Sequence, residues 1–373
     1  MEINAQPLPP GSHIVVGLSG GVDSAVSAWL LKQQGYRVTA LFMVNWEEDE
    51  DGYCTAADDF QDCRAIAEEI GIPLQRVDFS ADYKDRVFAQ FLADYAAGRT
   101  PNPDVLCNRE VKFQPFREYA LRLGADGIAT GHYARIHHGP DGPRLLRSVT
   151  EDKDQTYFLA AVHRAQLENV MFPIGHLEKP QVRRLALEAG LPVHRKKDST
   201  GICFIGERRF RDFLAQHLKD VPGAIVDTAG VEVGRHPGLH HFTLGQRKGL
   251  HIGGRRGARE APWYVVGKRQ GLAQLVVSQD AADPRMLSQR LDTLAFHWIR
   301  QPSPLPTRLT ARIRHRQALQ ACTVAPHADG SLEVRFETPQ RAAAPGQYVV
   351  LYDGLECLGS GEIRHADPLH PLD

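Results

Sequence analysis

Residues 19–24 combine two glycines with an aspartate and two serines in the order SGGVDS. An apolar run (13–18) precedes them, and apolar residues at helical spacing follow from Ser24 to Gln34. Glycines between a strand and a helix let backbone N–H groups approach an anion, and the helix N-terminus adds partial positive charge. The segment predicts a phosphate site, although a tight turn without a ligand would have the same spacing. It is not a Walker A loop, because no lysine follows the glycines.

Two cysteines lie in polar segments marked by glycine or proline. In TPNPDVLCNREVKF (100–113), Asp104 precedes Cys107 by three residues, and in KKDSTGICFIGERRF (196–210), Cys203 follows a glycine turn. A cysteine taken alone is more often a buried, small apolar residue than a nucleophile. We expect both to lie in loops, a setting that allows an exposed thiolate. Cations near Cys203 in space would lower the pKa of its thiol, and the candidates are Lys196, Lys197, Arg208 and Arg209.

SGGVDS resembles the pyrophosphate loop of the N-type ATP pyrophosphatases, and the matching positions are Ser19, Gly20, Gly21, Asp23 and Ser24. In that family the loop grips the β,γ-pyrophosphate of ATP while a substrate oxygen attacks the α-phosphorus and becomes an adenylate. A nucleophile then displaces AMP. The resemblance implies that Asp23 helps to hold Mg²⁺, which offsets phosphate charge during the attack.

Six segments, in the same order and over nearly the whole chain, resemble the bacterial tRNA-specific 2-thiouridylases. They are SGGVDS, PNPDVLCNREVKF, GHYAR (131–135), DKDQTYFL (152–159), DSTGICFIGERRF and HFTLGQRKGL. The resemblance implies ATP-dependent replacement of the C2 oxygen of uridine 34 by sulfur in tRNAs for Lys, Glu and Gln. It also implies a cytoplasmic monomer that receives sulfur from a persulfide donor, either a relay protein or a cysteine desulfurase.

The same resemblance implies roles for individual residues. ATP would be bound by Gly17, Leu18, Ser19, Gly20, Gly21, Val22, Asp23, Ser24, Met43 and Gly131. Cys203 would carry the persulfide sulfur, and Asp104 would contact the base or act in proton transfer. Cys107 would either attack the activated C2 directly or release sulfide from the persulfide, leaving a Cys107–Cys203 disulfide. The order of these steps stays open.

Contacts with the flipped target base and with the tRNA anticodon arm are also implied by the resemblance. The matching residues are Asn102, Pro103, Asp104, His132, Lys153, Asp154, Gln155, Arg314, His315 and Gln347. Asp154 and Gln155 would also suit a helix N-terminus, and that alternative stays open. Alternation of Arg312, Arg314 and Arg316 predicts three guanidinium groups on one strand face, which would bind phosphate or simply face water.

Composition and charge exclude several classes of protein. The chain has 373 residues, of which 42% are hydrophobic and 24% charged, so it does not have the composition of a disordered protein. No apolar run approaches the length of a membrane span, and the N-terminus lacks the pattern of a signal peptide. The net charge of −1 divides into −6 for residues 1–200 and +5 for residues 201–373.

The most basic part of the chain is the glycine-rich stretch 235–269. Its only acidic residue is Glu260, and its cationic residues are Arg235, Arg247, Lys248, Arg255, Arg256, Arg259, Lys268 and Arg269. Such a surface suits the phosphate backbone of a nucleic acid. A solvated, mobile loop is the alternative.

The six cysteines include no C-x-x-C pair, so we expect no structural zinc or iron–sulfur site and no other protein metal site. Without a secretory signal, structural disulfides are not expected either. Cys54 and Cys63 have no His or Cys partner at ligand spacing. Cys322 and Cys357 lie in strand patterns, where we expect them to be packed.

Strands that alternate with helices through the first 200 residues predict a doubly wound, parallel α/β sheet. The expected strands are 13–18, 37–44, 74–79 and 126–130, and the expected helices are 24–34, 57–70, 82–97 and 111–123. A hairpin that turns at 139–142 would be an insertion.

After about residue 205, short strands separated by Gly, Pro and Asp predict small, mainly β domains of barrel type. We therefore expect an ATP pyrophosphatase domain at 1–210, a small central domain at 211–276 and a C-terminal tRNA-binding β-barrel at 277–373.

Three other functions stay open. A different adenylating enzyme on this fold, such as an amidating synthetase, would need no thiol pair. An iron–sulfur-dependent tRNA thiolase usually needs three clustered cysteine ligands, and its cluster would absorb visible light. A non-catalytic tRNA-binding protein would need neither SGGVDS nor both cysteines, and pyrophosphate release would exclude it.

Overall fold

A parallel sheet lies at the centre of the N-terminal part of this computed structural model, which describes residues 8–46, 56–197, 210–252 and 261–372. The strands up to residue 197 are β1 (His13–Gly17), β2 (Arg37–Val44), β3 (Leu74–Asp78), β4 (Gly127–Ala129), β5 (Ala134–Gly139), β6 (Gly142–Arg147) and β7 (Val170–Met171). The α-helices are α1 (Val22–Gln33), α2 (Ala56–Ile70), α3 (Ser80–Tyr83), α4 (Ala89–Ala96), α5 (Pro103–Cys107), α6 (Pro115–Arg122), α7 (Thr156–Leu159) and α8 (Lys179–Glu188). In the ranges described, no helix has both the length and the apolar composition that a membrane crossing needs.

The central sheet has the strand order β3-β2-β1-β4-β7, and neighbouring strands are parallel. Because side chains alternate across a strand, Ile14 and Val16 pack into one core cluster with Leu31 of α1. Val15 faces the opposite side and packs into a second cluster with Phe116 of α6. Apolar layers on both faces are what a doubly wound sheet requires, so the predicted fold class is confirmed.

Two predicted helices are interrupted in the structure. A π-helical segment, Lys84–Phe88, separates α3 from α4, and a second, Asn108–Lys112, follows α5. The helix predicted at 111–123 restarts as α6 at Pro115, because proline has no N–H to donate and fits the first helical position. Strand β7 was not predicted, because a strand of two residues is too short to show an alternation of apolar and polar residues.

The rest of the chain is mainly β. It contains α9 (Phe210–His217) and the strands β8 (Gly223–Asp227), β9 (Glu232–His236), β10 (Tyr264–Arg269), β11 (Gln274–Ser278), β12 (Leu287–Ala295), β13 (His297–Trp298), β14 (Thr307–Arg312), β15 (Gln320–Pro326), β16 (Ser331–Arg341), β17 (Tyr348–Asp353) and β18 (Glu356–Pro368). Strands β10-β11-β8-β9 form a second, four-stranded sheet. Strands β12-β16-β15-β14-β17-β18 close into a barrel, because β12 pairs with both β16 and β18. The expected small β domains are therefore present.

The hairpin β5–β6 extends the barrel sheet. It turns between Gly139 and Gly142, as predicted, and β6 pairs with β18 through Leu145 opposite Cys357. The N-terminal part and the barrel are therefore joined by a shared sheet as well as by the chain. Local patterns reveal a hairpin but not the strand that it will join.

Candidate active site

The glycine-rich segment 19–24 carries the chain from β1 into α1. Gly20 has a φ of +74°, and a Cβ atom there would stand 2.7 Å from the backbone oxygen of Asp59, so the turn requires glycine. The Ser24 hydroxyl accepts a hydrogen bond from the Ser19 N–H over 3.2 Å. The loop is thus held by its own contacts beside a helix N-terminus, which is the geometry that an anion site needs.

Both carboxylate oxygens of Asp23, in the first turn of α1, have partners from distant parts of the chain. The Lys179 Nζ lies 2.7 Å from Oδ1 and 2.9 Å from Oδ2, and the Tyr133 hydroxyl donates to Oδ1 over 2.9 Å. A largely buried cation therefore stands beside the glycine-rich loop. Sequence reasoning missed both residues, because separations of 156 and 110 positions leave no local signal.

The other residues predicted to bind ATP meet at the same edge of the sheet. A Cβ atom on Gly131 would lie 2.7 Å from the Ser24 nitrogen, so the chain after β4 passes directly against the loop. A Cβ atom on Gly17 would lie 3.8 Å from the Met43 Cε. The carboxyl ends of β1, β2 and β4 meet here, at the edge where parallel α/β sheets bind ligands. The binding of ATP by these residues stays a prediction.

Helix α5 carries Asp104 and Cys107, three positions apart and therefore on one side of the helix. The Asn102 side chain accepts a hydrogen bond from the Val105 N–H over 3.4 Å, and Pro103 fills the first helical position. Cys107 is only 3% exposed. The expectation of an exposed thiol in a loop is therefore wrong for Cys107, because the cap and the proline start a helix that buries it.

The electrostatic environment of α5 favours neutral groups. Burial raises the pKa of the Asp104 carboxyl above its usual range, and the positive charge of Lys112 acts against that shift. Burial, reinforced by the Lys112 charge, lowers the pKa of His132 well below its ordinary value. The His132 Nδ1 lies 2.7 Å from the Thr130 hydroxyl oxygen. His132 is therefore a neutral ring near pH 7, able to form hydrogen bonds but not to neutralise phosphate.

Arg312 points into the protein and shares no solvent-facing surface with Arg314 and Arg316. Its side chain is 1% exposed, with Nη1 at 3.0 Å from the Asp154 Oδ2 and Nη2 at 3.1 Å from the Glu151 Oε1. Strand β14 ends at Arg312, and the other two arginines follow in a turn. The prediction of three guanidinium groups on one strand face is wrong, because the strand ends early and a buried carboxylate binds the first of them.

Asp154 and Gln155 directly precede α7, after the half-buried Lys153. The Asp154 carboxylate accepts hydrogen bonds from the Ser148 N–H over 3.1 Å and from the Thr156 hydroxyl over 2.8 Å. A position before a helix was the alternative to a tRNA contact for Asp154 and Gln155. Their contacts with tRNA stay predictions, and the Asp154 side chain has a structural task.

Two barrel residues predicted to contact tRNA form hydrogen bonds with the N-terminal part of the chain. The His315 Nε2 lies 2.9 Å from the Asp154 carbonyl oxygen. The Gln347 Nε2 donates to the Thr100 carbonyl over 2.8 Å and to the Pro101 carbonyl over 3.2 Å. The structure therefore brings together predicted tRNA contacts from the barrel, from the turn before α7 and from the segment that leads into α5.

Cys203 and Cys54 lie outside the described residues, as do Arg208, Arg209, Arg255, Arg256 and Arg259. Lys196, one of the cations expected near Cys203, contacts Asp59 at 2.7 Å and Asp62 at 2.6 Å. Both carboxylates belong to α2, and the Asp59 backbone borders the glycine-rich loop. The chain therefore passes close to the candidate ATP site just before the segment that carries Cys203.

The four cysteines within the described residues are buried thiols, namely Cys63, Cys107, Cys322 and Cys357. Burial raises the pKa of Cys63 and of Cys322 to about 12. Cys63 and Cys322 are therefore unreactive packing groups at neutral pH. Cys322 and Cys357 are packed, as expected from their strand patterns.

Asp220, His240 and His241, in the part of the chain that the structure describes, form a group of three potential metal ligands. The His241 Nε2 forms a hydrogen bond of 2.7 Å with the Asp220 Oδ1, and the His240 Nε2 lies 3.1 Å from the same oxygen. These contacts tie the segment after α9 to the short helix at Leu239–His241. These contacts give the three residues a structural role.

Comparison with known proteins identifies the family. A tRNA methyl transferase HUP domain matches residues 12–207, a tRNA methyl transferase PRC-barrel domain matches 211–279, and an aminomethyltransferase beta-barrel domain matches 288–363. The tRNA-specific 2-thiouridylase MnmA of Sodalis glossinidius is 55% identical over 359 residues, which are 95% of this chain and 97% of that protein. The chain belongs to the tRNA-specific 2-thiouridylase family. The MnmA of Xanthomonas oryzae pv. oryzae, another 2-thiouridylase, is 53% identical over 95% of this chain and 94% of its own length.

The resemblance of six sequence segments to the 2-thiouridylases is thereby confirmed. Among solved structures, the U34-tRNA thiolase NcsA from Methanococcus maripaludis with its [4Fe-4S] cluster aligns at 20% identity. That alignment covers 57% of this chain and 66% of the other, with a TM-score of 0.36. A likeness this distant carries no argument about the present 2-thiouridylase.

Proposed function

We propose that the chain is a cytoplasmic tRNA uridine 2-sulfurtransferase that uses ATP to replace the C2 oxygen of uridine 34 by sulfur. The tRNAs for Lys, Glu and Gln are the proposed substrates. The observation that carries the proposal is that two consecutive residues, Gly131 and His132, connect the glycine-rich loop to the segment that continues helix α5. Gly131 lies against Ser24 of the loop, and His132 packs on Phe113 with ring centroids 6.1 Å apart. Phe113 follows the π-helical segment that continues α5.

ATP is the substrate that we assign to the glycine-rich loop. Its phosphates would lie against the glycine-rich loop and at the N-terminus of α1. The uridine O2 attacks the α-phosphorus, which breaks the α–β bond, releases pyrophosphate and forms an O2-adenylate. Asp23 is the carboxylate that would hold Mg²⁺, and the ion would offset phosphate charge. Lys179, bonded to the same carboxylate, supplies positive charge from the protein itself.

Sulfur reaches the adenylated C2 from a persulfide on Cys203. In one route, the Cys107 thiolate attacks the Cys203 sulfur and releases hydrosulfide, which displaces AMP from C2. In the other, Cys107 displaces AMP from C2 and is then displaced by the persulfide sulfur, after which it attacks Cys203 and frees the 2-thiouridine. Both routes end in a Cys107–Cys203 disulfide, which an external thiol must reduce. Asp104, with its raised pKa, is suited to exchange the proton at this centre.

The anticodon arm would bind across the barrel and the N-terminal part. Lys153, Arg314 and His315 are the proposed contacts there, with Arg247 and Lys248 from the basic stretch. The flipped uridine would meet residues 102–104, which open α5 beside the ATP site. We propose that one monomer binds one tRNA and that a relay protein or a cysteine desulfurase delivers the sulfur.

The test is mass spectrometry of nucleosides after the full chain has reacted with unmodified tRNA, Mg-ATP, and a cysteine desulfurase supplied with L-cysteine. We expect 2-thiouridine at position 34, with AMP and pyrophosphate, and its loss without ATP and in Cys203→Ser and Cys107→Ser. Cys322→Ser, which changes a buried thiol of the barrel, is the matched control and should retain activity.

Other outcomes decide between the alternatives. AMP and pyrophosphate without 2-thiouridine would keep the adenylation step and overturn the sulfur acceptor or donor. Visible absorption by a cluster in the purified protein, with activity that depends on it, would favour an iron–sulfur thiolase. Absence of every product with an active desulfurase and each of the three tRNAs would overturn the proposed function.

A further inference from the structure

The short segment 98–101, between α4 and α5, is attached to the barrel by its backbone. The Gln347 Nε2 donates to the carbonyls of Thr100 and Pro101, and the Thr100 N–H donates to the Pro345 carbonyl over 2.8 Å. Because both partners of Nε2 are carbonyl oxygens, the amide must present its two N–H donors to them. Its Oε1 then remains as the atom that can accept a hydrogen bond from a nucleotide.

The hairpin formed by β10 and β11 holds the start of the same segment. The Lys268 Nζ donates to the Gly98 carbonyl over 3.2 Å, and the Gln270 Nε2 donates to the Ala97 carbonyl over 3.4 Å. These carbonyls lie at the C-terminus of α4, where a cation is favourably placed. Gly98 has a φ of +74°, and a side chain there would overlap Gln270, so the turn between β10 and β11 packs directly on Gly98.

Helix α5 begins two residues after Pro101, so its position follows from where the segment is held. The barrel approaches the segment closely at Gly346, which has a φ of +91°. A Cβ atom on Gly346 would stand 2.9 Å from the Thr100 nitrogen. This contact therefore depends on glycine in the barrel and on the Gln347 amide beside it. The Thr100 hydroxyl also lies 3.4 Å from the hydroxyl of Thr243, which precedes β10.

We propose that Gln347 is a positioning residue, whose hydrogen bonds to the Thr100 and Pro101 carbonyls set where α5 places Asp104 and Cys107. The inference rests on the proposed function for its consequence in catalysis. It goes beyond a tRNA contact, because the hydrogen bonds act on the tRNA-free protein. Through these hydrogen bonds, the barrel that is proposed to contact the anticodon arm is coupled to helix α5, which carries Asp104 and Cys107.

Gln347→Met tests the proposal, since methionine has similar length and no donor. In the tRNA-free protein we expect faster hydrogen exchange in peptides that cover residues 98–108. Cys107 should be alkylated about tenfold faster, because a buried thiol becomes accessible when its helix loosens. With tRNA, we expect the turnover number to fall at least about tenfold, since small misplacements of reacting groups cost this much. The dissociation constant for ATP should stay within about threefold, because Gln347 is not among the residues assigned to the ATP site.

Gln340→Met is the matched control. Gln340 is a buried barrel glutamine whose amide is bonded to Gln317, Gln320 and Thr338, all within the C-terminal part of the chain. The substitution should leave exchange at 98–108, Cys107 alkylation and the turnover number as in the wild type. Gln347→Lys, which keeps a donor for the carbonyls, should restore part of the turnover lost in Gln347→Met.

A weaker affinity for tRNA, with exchange and alkylation unchanged in the tRNA-free protein, would overturn the proposal and leave Gln347 as an RNA contact only. The exchange and alkylation measurements need neither ATP nor tRNA. They therefore decide about Gln347 even if the proposed reaction fails. If Gln347→Met does not fold, the same measurements are made on Gln347→Lys and Gln347→Asn. We expect faster alkylation of Cys107 only in Gln347→Asn, because the shorter side chain cannot reach the Thr100 and Pro101 carbonyls.

Discussion

Arg312 of β14 and Asp154, just before α7, form an ion pair of 3.0 Å in which both side chains are at most 1% exposed. The Arg312 guanidinium also lies 5.5 Å from the centre of the Tyr352 ring. Burying two charges is costly, and a buried pair is retained only where each partner neutralises the other. The pair ties the turn that carries Lys153 to the barrel loop that carries His315. The ion pair therefore holds predicted RNA-contacting residues from two parts of the chain close together.

Arg312→Met should strongly destabilise the protein, because the buried Asp154 carboxylate loses its hydrogen-bonded cation and keeps only Arg147, at 3.8 Å. We expect a loss of about 3–5 kcal/mol in the free energy of unfolding, measured by urea denaturation. The control is Arg184→Met, which breaks the exposed Arg184–Glu188 pair of α8 at 3.8 Å and should cost about 0.5 kcal/mol or less. Similar losses for both variants would contradict the structural role of the buried pair.

Gly20→Ala should reduce ATP affinity at least about tenfold, because the added Cβ must push the loop away from the Asp59 backbone. Isothermal titration with Mg-ATP measures the effect. Gly230→Ala is the control, since Gly230 also has a positive φ, of +83°, but a Cβ there would meet nothing within 4 Å. It should share the cost of a positive φ, about 1–2 kcal/mol of stability, and leave ATP affinity unchanged. Unaltered ATP binding by Gly20→Ala would remove the loop from the site.

Lys179→Met should slow pyrophosphate release in the presence of tRNA. Loss of a hydrogen-bonded cation is worth roughly 1.5–3 kcal/mol, or about 10- to 150-fold in rate. Lys32→Met, in the last turn of α1, is the control and should change the rate less than about twofold. In Asp23→Asn/Lys179→Met the two effects should be far from additive, because the residues act as a pair. Full activity of Lys179→Met would show that the pair serves the fold alone.

Asp104→Asn should stabilise the protein at neutral pH while abolishing thiolation. The folded-state pKa of Asp104 is raised, so folding favours the protonated carboxyl, and stability falls as pH rises from the unfolded value of about 3.9 through the folded value. Above that window the ionised, half-buried carboxylate disfavours folding. Urea denaturation between pH 4 and 8 should show the Asp104→Asn variant and the wild type converging at low pH and diverging above. A wild type more stable than the variant at pH 7 would contradict this environment.

The glycine-rich loop could be predicted because its signal is local. SGGVDS lies between an apolar strand and an amphipathic helix, and the positive φ of Gly20 is a requirement that sequence expresses directly. The parallel sheet was predictable for the same reason, since strands and helices alternate with their own periods. Asp104 and Cys107 were found by their motif, but their burial was not, because the capping of α5 by Asn102 competes with a loop interpretation of a proline-rich segment.

Contacts between distant parts of the chain could not be predicted. Lys179 meets Asp23, and Gln347 meets Thr100, only because strand order and barrel closure bring them together. Alternating arginines at 312–316 indicate the period of a strand but not which face of that strand points to the core. The strand ends at Arg312, whose guanidinium pairs with a buried carboxylate. Charge patterns alone do not reveal such an inward cation.

We propose that ATP activates the C2 oxygen of the target uridine, and tracing that oxygen tests this step most directly. A tRNA carrying ¹⁸O at C2 of uridine 34 would be incubated with the enzyme, Mg-ATP and a desulfurase supplied with L-cysteine. AMP should carry the labelled oxygen, in the same amount as the 2-thiouridine formed. Formation of 2-thiouridine alongside AMP that carries no label would contradict the proposed step.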